Sequence, residues 1–178
     1  MQIVRLANTS DENQIFDLIK NGDSGMTTLP KTKEEVLERI KWSQRSLKKR
    51  HHKHSKDCYL FVLEENQKIV GISAIYTSVS LNGSSVFFKR RQKKISSKSL
   101  KFEKKLDVIQ LHTVKSPYTE LGTLFLHPNF RGRGRGSLLS FARFKFMALW
   151  PERFDKNIVA EIRGKVDKND QSIFWKYF

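Results

Sequence analysis

The stretch Glu120-Leu121-Gly122-Thr123-Leu124-Phe125-Leu126-His127-Pro128-Asn129-Phe130-Arg131-Gly132-Arg133-Gly134-Arg135-Gly136 decides the fold. Its first seven residues are of strand type, and His127-Pro128-Asn129 ends the strand. Residues 137–148 then place their apolar side chains at i, i+3, i+4, which predicts a helix with one buried face. A glycine-rich turn between a strand and a helix suits a phosphate. Small residues let backbone N–H groups approach the anion, and the helix N-terminus adds positive potential. The spacing excludes two common uses of such a turn. A dinucleotide site wants G-x-G-x-x-G near the first strand with an acidic residue about 20 positions on, and a nucleoside-triphosphate loop ends in G-K-[ST]; neither is present. A disordered Arg-Gly segment that binds RNA is a weaker reading, because a strand and an amphipathic helix flank the turn.

Working outward, residues 2–6 alternate as a short strand, and residues 8–12 offer N-caps for a helix in which Ile15, Phe16, Leu18 and Ile19 recur at helical spacing. A second helix is predicted from Thr32 to about Lys48, with Val36, Leu37, Ile40 and Leu47 on its apolar face. Residues 59–63 and 69–76 are β-type runs that predict an antiparallel hairpin, and 78–88 reads as a strand or bulged extension. The basic stretch 89–105 breaks the apolar pattern and is expected to be a long exposed connection. Downstream, 157–162 is predicted as a strand and a helix is expected to begin at Asp170. No internal repeat is found.

The 178 residues, 38% of them apolar, suffice for one α/β domain and are few for two. No run of about 18 apolar residues exists and the N-terminus lacks the pattern of a signal peptide, so a cytoplasmic protein without membrane segments is expected. A net charge of +16 makes polyanions candidate partners, among them nucleic acid and phosphorylated cofactors. The single cysteine, Cys58, excludes an internal disulfide and reads as a small apolar residue. His51, His52 and His54 sit in a very polar stretch that reads as a solvated turn in preference to a metal site, and no metal is expected.

The pattern Arg131-x-x-Gly134-x-Gly136, placed between that strand and that helix, resembles the acyl-CoA signature of the GNAT N-acyltransferase superfamily, and the order of predicted elements agrees. The resemblance implies an α/β (α+β) fold with a mixed central sheet flanked by helices. Longer stretches are similar to the arginine N-succinyltransferase family: Met26-Thr27-Thr28-Leu29-Pro30, Gly71-Ile72-Ser73-Ala74-Ile75, residues 120–128, Leu138-Leu139-Ser140 with residues 143–148, Val159-Ala160-Glu161-Ile162-Arg163-Gly164, and Phe174-Trp175. That likeness implies transfer of succinyl from succinyl-CoA to the α-amino group of L-arginine, in arginine catabolism. It covers nearly the whole chain but about the N-terminal half of a typical member. One GNAT-like domain over 1–178 is therefore expected, without the C-terminal strands that complete the sheet. The family's proton-donor histidine is expected in a second half, and the chain is expected to form a homo-oligomer or to pair with a complementary C-terminal half.

By the same resemblance Leu124, Phe125 and Leu126 would line the pantetheine and thioester, and Arg131, Gly132, Arg133, Gly134, Arg135 and Gly136 would hold the pyrophosphate. Glu120 and His127, at the two ends of one strand, are candidates for moving a proton through water. An arginine substrate needs acidic and basic partners, roles suited to Glu161 and Arg163, while Thr27 and Thr28 fall in the loop expected to border the acceptor. Many GNAT enzymes protonate the thiolate with a tyrosine of the last helix; Trp175 occupies that place, so that route is closed. Two alternatives are a GNAT acetyltransferase acting on a polyamine, a protein or another amine, and a basic domain that binds nucleic acid.

Overall fold

The computed structural model describes residues 1–20, 29–50, 55–79, 85–114, 116–162, 164–169 and 171–176, and these divide into two units, Ser80–Pro117 and the remainder. Met26, Thr27, Thr28, Arg163 and the cluster His51, His52 and His54 lie outside the described residues.

The larger unit opens with strand β1 (Gln2–Leu6), then helices α1 (Glu12–Lys20) and α2 (Lys33–Lys48). Asn8 caps a short 3-10 turn that leads into α1, and Thr32 Oγ1 accepts from Glu35 N to start α2, as the sequence predicts. Strands β2 (Cys58–Glu65) and β3 (Lys68–Val79) form an antiparallel hairpin. Its turn residues Asn66 and Gln67 take φ of 49° and 65°, the left-handed pair that matches strand twist in a two-residue loop.

In the smaller unit, β4 (Ser85–Ser97) and β5 (Phe102–Val114) pair along their whole length as an antiparallel ribbon. The described residues of the 78–88 stretch, 78–79 and 85–88, are strand, and this pairing corrects the expected long connection over 89–105. The stretch is exposed, yet it is regular strand. Polar side chains occupy both faces, so the period-two signal is hidden, and cross-strand ion pairs Arg90–Asp107 (2.9 Å) and Lys94–Glu103 (2.7 Å) add to the apolar pair of Phe88 with Leu111.

The chain then returns to the larger unit as β6 (Tyr118–Leu126), passes a 3-10 turn (Pro128–Phe130) and the glycine turn, and enters α3 (Arg135–Leu149). It ends with a two-residue strand β7 (Ile158–Val159) and one helical turn α4 (Ile173–Lys176), both shorter than the sequence predicts. The side chains of Ile158, Ile162, Phe174 and Trp175 are exposed, so little burial supports longer elements there.

The central sheet runs β1-β2-β3-β6-β7, antiparallel except for the parallel β6–β7 pair. One face packs Leu60, Val62, Ile72, Ala74 and Phe125 against Ile15, Leu18, Ile19, Val36 and Ile40 of α1 and α2. The other packs Tyr59, Phe61, Leu63, Val70 and Ile75 against Leu139, Phe146 and Met147 of α3. Cys58 is fully buried and its thiol is pushed up to about 12 by burial, the behaviour of a packing residue. Among the described residues no helix is long and apolar enough to cross a membrane.

Candidate functional site

Two irregularities of β6 shape the site. Between its pairs with Ile72 and Ala74 of β3, β6 carries one extra residue, and Thr123 takes φ of 49° in the bulge. On its other side, the parallel ladder to β7 consists of Thr119↔Ile158 and Glu120↔Val159. Beyond that point the two strands part among the described residues, so residues 121–126 present one backbone edge to an opening. The Leu124 side chain is 42% exposed there. Phe125 is buried in the core on the α1–α2 face and Leu126 packs on the α3 face, so these two residues offer backbone rather than side chain. Arg143 of α3 is itself buried, donates through Nη2 to Ser140 Oγ at 2.9 Å and approaches the Gly122 carbonyl with Nη1 at 3.5 Å, bracing the strand beside its bulge.

The chain runs from the end of β6 through Pro128–Phe130 into the glycine turn. Gly132, Arg133 and Gly134 take φ of 89°, 50° and 73°, three successive left-handed residues that reverse the chain and start α3. A Cβ at Gly132 or Gly134 would meet nothing within 4 Å, so conformation and not crowding calls for glycine there. Gly134 is the N-cap of α3 and no side chain caps it, which leaves the helix start accessible to an anion. Gly136 also faces open space. The side chains of Arg131 and Arg133 are exposed, whereas Arg135 is buried and donates through Nε and Nη2 to both oxygens of Glu65 at 2.7 Å each. That guanidinium fastens the turn to the end of β2.

The two proton-transfer candidates separate. Six strand residues lie between Glu120 and His127, roughly 20 Å of extended chain, so one site does not hold both. His127 Nδ1 accepts from Asn129 N at 3.2 Å, the ring stands edge-on to Phe130, and it lines a cleft of about 190 Å³ with Gln14, Asp17, Leu18, Lys68 and Ile69. Glu120 is half-buried at the mouth of the opening. Burial first, and the charge of Glu161 second, push its carboxyl above the ordinary value. Glu161 itself is exposed, just past β7.

Sequence reasoning missed a third group. Tyr76, the registered partner of Glu120 on β3, places its hydroxyl 3.0 Å from Thr123 Oγ1 and accepts from Arg39 Nη1 at 3.0 Å. Burial pushes the phenol up to about 12. These residues belong to no motif; the visible signal was the strand alternation that turns Tyr76 toward α2.

With this geometry in place, comparison with known proteins is informative. Residues 2–178 match the AstA family, described as the arginine N-succinyltransferase beta subunit. An arginine N-succinyltransferase of Yersinia pestis is 36% identical over 99% of this chain and 51% of its own length. The arginine N-succinyltransferase subunit beta of Pseudomonas aeruginosa is 32% identical over 98% of this chain and 51% of its own length. The chain thus spans about half the length of these curated relatives. Among solved structures, subunit AI of the arginine/ornithine succinyltransferase of Pseudomonas aeruginosa superposes with a TM-score of 0.85 at 28% identity, covering 99% of this chain and 54% of the other. The PaiA N-acetyltransferase of Thermoplasma acidophilum, solved in complex with coenzyme A, shares the fold with a TM-score of 0.51 at 12% identity, over 84% of this chain and 73% of the other.

Proposed function

Because this chain belongs to the arginine N-succinyltransferase beta subunit family, we propose that it binds succinyl-CoA between β6 and β7 and takes part in moving the succinyl group to the α-amino group of L-arginine. The observation that carries the reading is one strand, β6, that parts from β7 along its edge and runs on into the uncapped, left-handed glycine turn. It suits the ligand part by part. Amides of a pantetheine arm find the bare edge of residues 121–126, Leu124 adds an apolar contact, and a pyrophosphate finds the start of α3 with Arg131 and Arg133 beside it.

The bound thioester supplies an activated acyl carbon. The chain's own task is to seat it at the bulge and to free the attacking amine of its proton. Glu120 suits that second role, since a carboxyl raised by burial is a better base than an exposed one and it sits at the mouth of the opening. The ammonium first gives one proton to Glu120, directly or through one water; the neutral amine then forms the N–C bond, the C–S bond breaks with its electron pair on sulfur, and CoA leaves as a thiolate that takes up the proton shed by the acylated nitrogen through solvent. His127, at the far end of the strand, has no part in this step. Glu161, beside Glu120, gives the mouth the negative charge that a guanidinium or ammonium acceptor requires.

A complementary C-terminal half, or a second copy, is the partner we assign, in keeping with the share of the relatives' length that this chain spans. Thermal shift of the chain with succinyl-CoA, acetyl-CoA and free CoA, each with and without arginine, tests the reading. Stabilisation by succinyl-CoA above the others supports it, and no shift with any of them removes it.

A further inference from the structure

Two arginines are buried among the described residues, Arg135 and Arg143, and they differ in what they face. Arg135 lies against both oxygens of Glu65, so an opposite charge meets its own. Arg143, in the third turn of α3, is 4% exposed and meets neutral oxygens. Its Nη2 donates to Ser140 Oγ at 2.9 Å, Nε to the Ser140 carbonyl at 3.4 Å and Nη1 to the Gly122 carbonyl at 3.5 Å. Among the described residues no carboxylate pairs with it, and burial alone pushes its pKa below the ordinary value.

A buried charge without a counter-charge is unfavourable, and a neutral donor in its place would brace Gly122 as well. The positive charge is surplus to packing. Its place gives it a use. Gly122 precedes Thr123, whose left-handed φ makes the β6 bulge, and it stands near the head of the edge, residues 121–126, that parts from β7. With a thioester seated at this bulge, the C–S bond breaks there with its electron pair on sulfur. Negative charge then rests on the thiolate until the proton shed by the acylated nitrogen reaches it through solvent. A cation already fixed by its neighbours stabilises such charge without rearrangement at the moment of reaction. Two acids oppose it. Glu120, the one acid of β6, lies two residues before Gly122, and Glu161 acts on Glu120; a carboxylate near a thiol disfavours its ionisation.

We propose that Arg143 is a positioning residue that stabilises the departing CoA thiolate, its buried positive charge set against the Gly122 carbonyl at the β6 bulge. This deepens the reading of the β6 edge as an acyl-CoA site and rests on it. Arg143 touches no reacting atom; it acts from behind the strand, through the Gly122 peptide that it holds and through its field.

The pH at which the sulfur of bound CoA ionises tests this in the full 178-residue chain. The ultraviolet absorbance of the thiolate is followed against pH with the chain saturated with CoA, and the complex with desulfo-CoA is subtracted so that the chain's phenols and Cys58 cancel. A free thiol ionises at about 8.5. In the unaltered chain the bound thiol is expected to ionise about one pH unit or more below free CoA, roughly a tenfold gain in thiolate. Arg143→Met, which fills similar space without the charge, should return the sulfur to the free value or above it, with the urea midpoint equal to the parent's or higher. Arg143→Lys, which keeps the charge, should retain part of the shift. A bound thiol that ionises with free CoA or above it in the unaltered chain overturns the proposal, whether or not the variants fold. So does an equal depression in the unaltered chain and in Arg143→Met, which would leave Arg143 a brace and the acyl-CoA site standing. Failure of the unaltered chain to bind CoA removes both.

Discussion

Arg135 and Glu65, 70 residues apart, meet through two hydrogen bonds of 2.7 Å that join the first turn of α3 to the end of β2. The guanidinium holds the Glu65 carboxyl down at about 2. A carboxylate whose folded pKa is depressed contributes stability above its unfolded value, and loses it as pH falls toward the folded one. Glu65→Gln is therefore expected to lower the urea midpoint at pH 7. The difference from the parent chain should shrink steadily between about pH 4.5 and 2. A gap that persists unchanged at pH 2 would mean the pair adds nothing by charge.

The opposite sign holds at Glu120, whose folded pKa is raised by burial and by Glu161. Its charged form opposes folding, so the penalty is absent below the unfolded pKa and grows as pH rises through the folded one. Glu120→Gln should raise the melting temperature at pH 8 and leave it unchanged near pH 4. Where turnover can be assayed with the partner half present, the same variant should lower kcat/KM by about 10²- to 10⁴-fold, the usual worth of a general base. Stability gained with activity lost marks a residue kept for chemistry.

Gly136 separates cofactor from fold. A side chain there meets open space, so Gly136→Asp should leave the melting temperature within a degree or two of the parent. It places a negative charge where the pyrophosphate is proposed to sit, and the thermal shift with CoA should disappear. Retained CoA binding would move the ligand elsewhere.

Gly122 makes the reverse point. A Cβ would come within 2.7 Å of the Tyr76 ring, which Trp42 and the core hold in place. Gly122→Ala is expected to cost about 1–3 kcal/mol of stability through overpacking, measured by urea unfolding. A neutral result would show that the ring yields, and with it the anchor of Arg39.

How much of this could be read from residues alone follows from what each feature depends on. The glycine turn, the strand before it and the helix after it were legible because left-handed backbone and a buried helical stripe leave marks in composition and period. The order and bounds of β1, α1, α2 and the β2–β3 hairpin were legible for the same reason. The β4–β5 ribbon was not, since solvent on both faces erases alternation and ion pairs such as Lys94–Glu103 follow no period. In the site, Glu120 and His127 were legible as the two ends of one strand, but their separation needed that strand to be extended in space. The roles of Arg135 and Arg39 were hidden altogether, because their partners, Glu65 and Tyr76, lie 70 and 37 residues away. Arg135 looked like its neighbours Arg131 and Arg133 until burial distinguished it.

The parting of β6 from β7 has one more result. From Leu121 to Leu126 the outer edge of β6 is a row of amide and carbonyl groups that no registered strand among the described residues takes up, and such a row can accept an extended chain offered to it, including the same strand of a neighbouring molecule. A ligand bound in the proposed slot would cover that edge. Handling the purified chain with CoA should therefore extend its shelf life, visible as suppressed light scattering in concentrated solution.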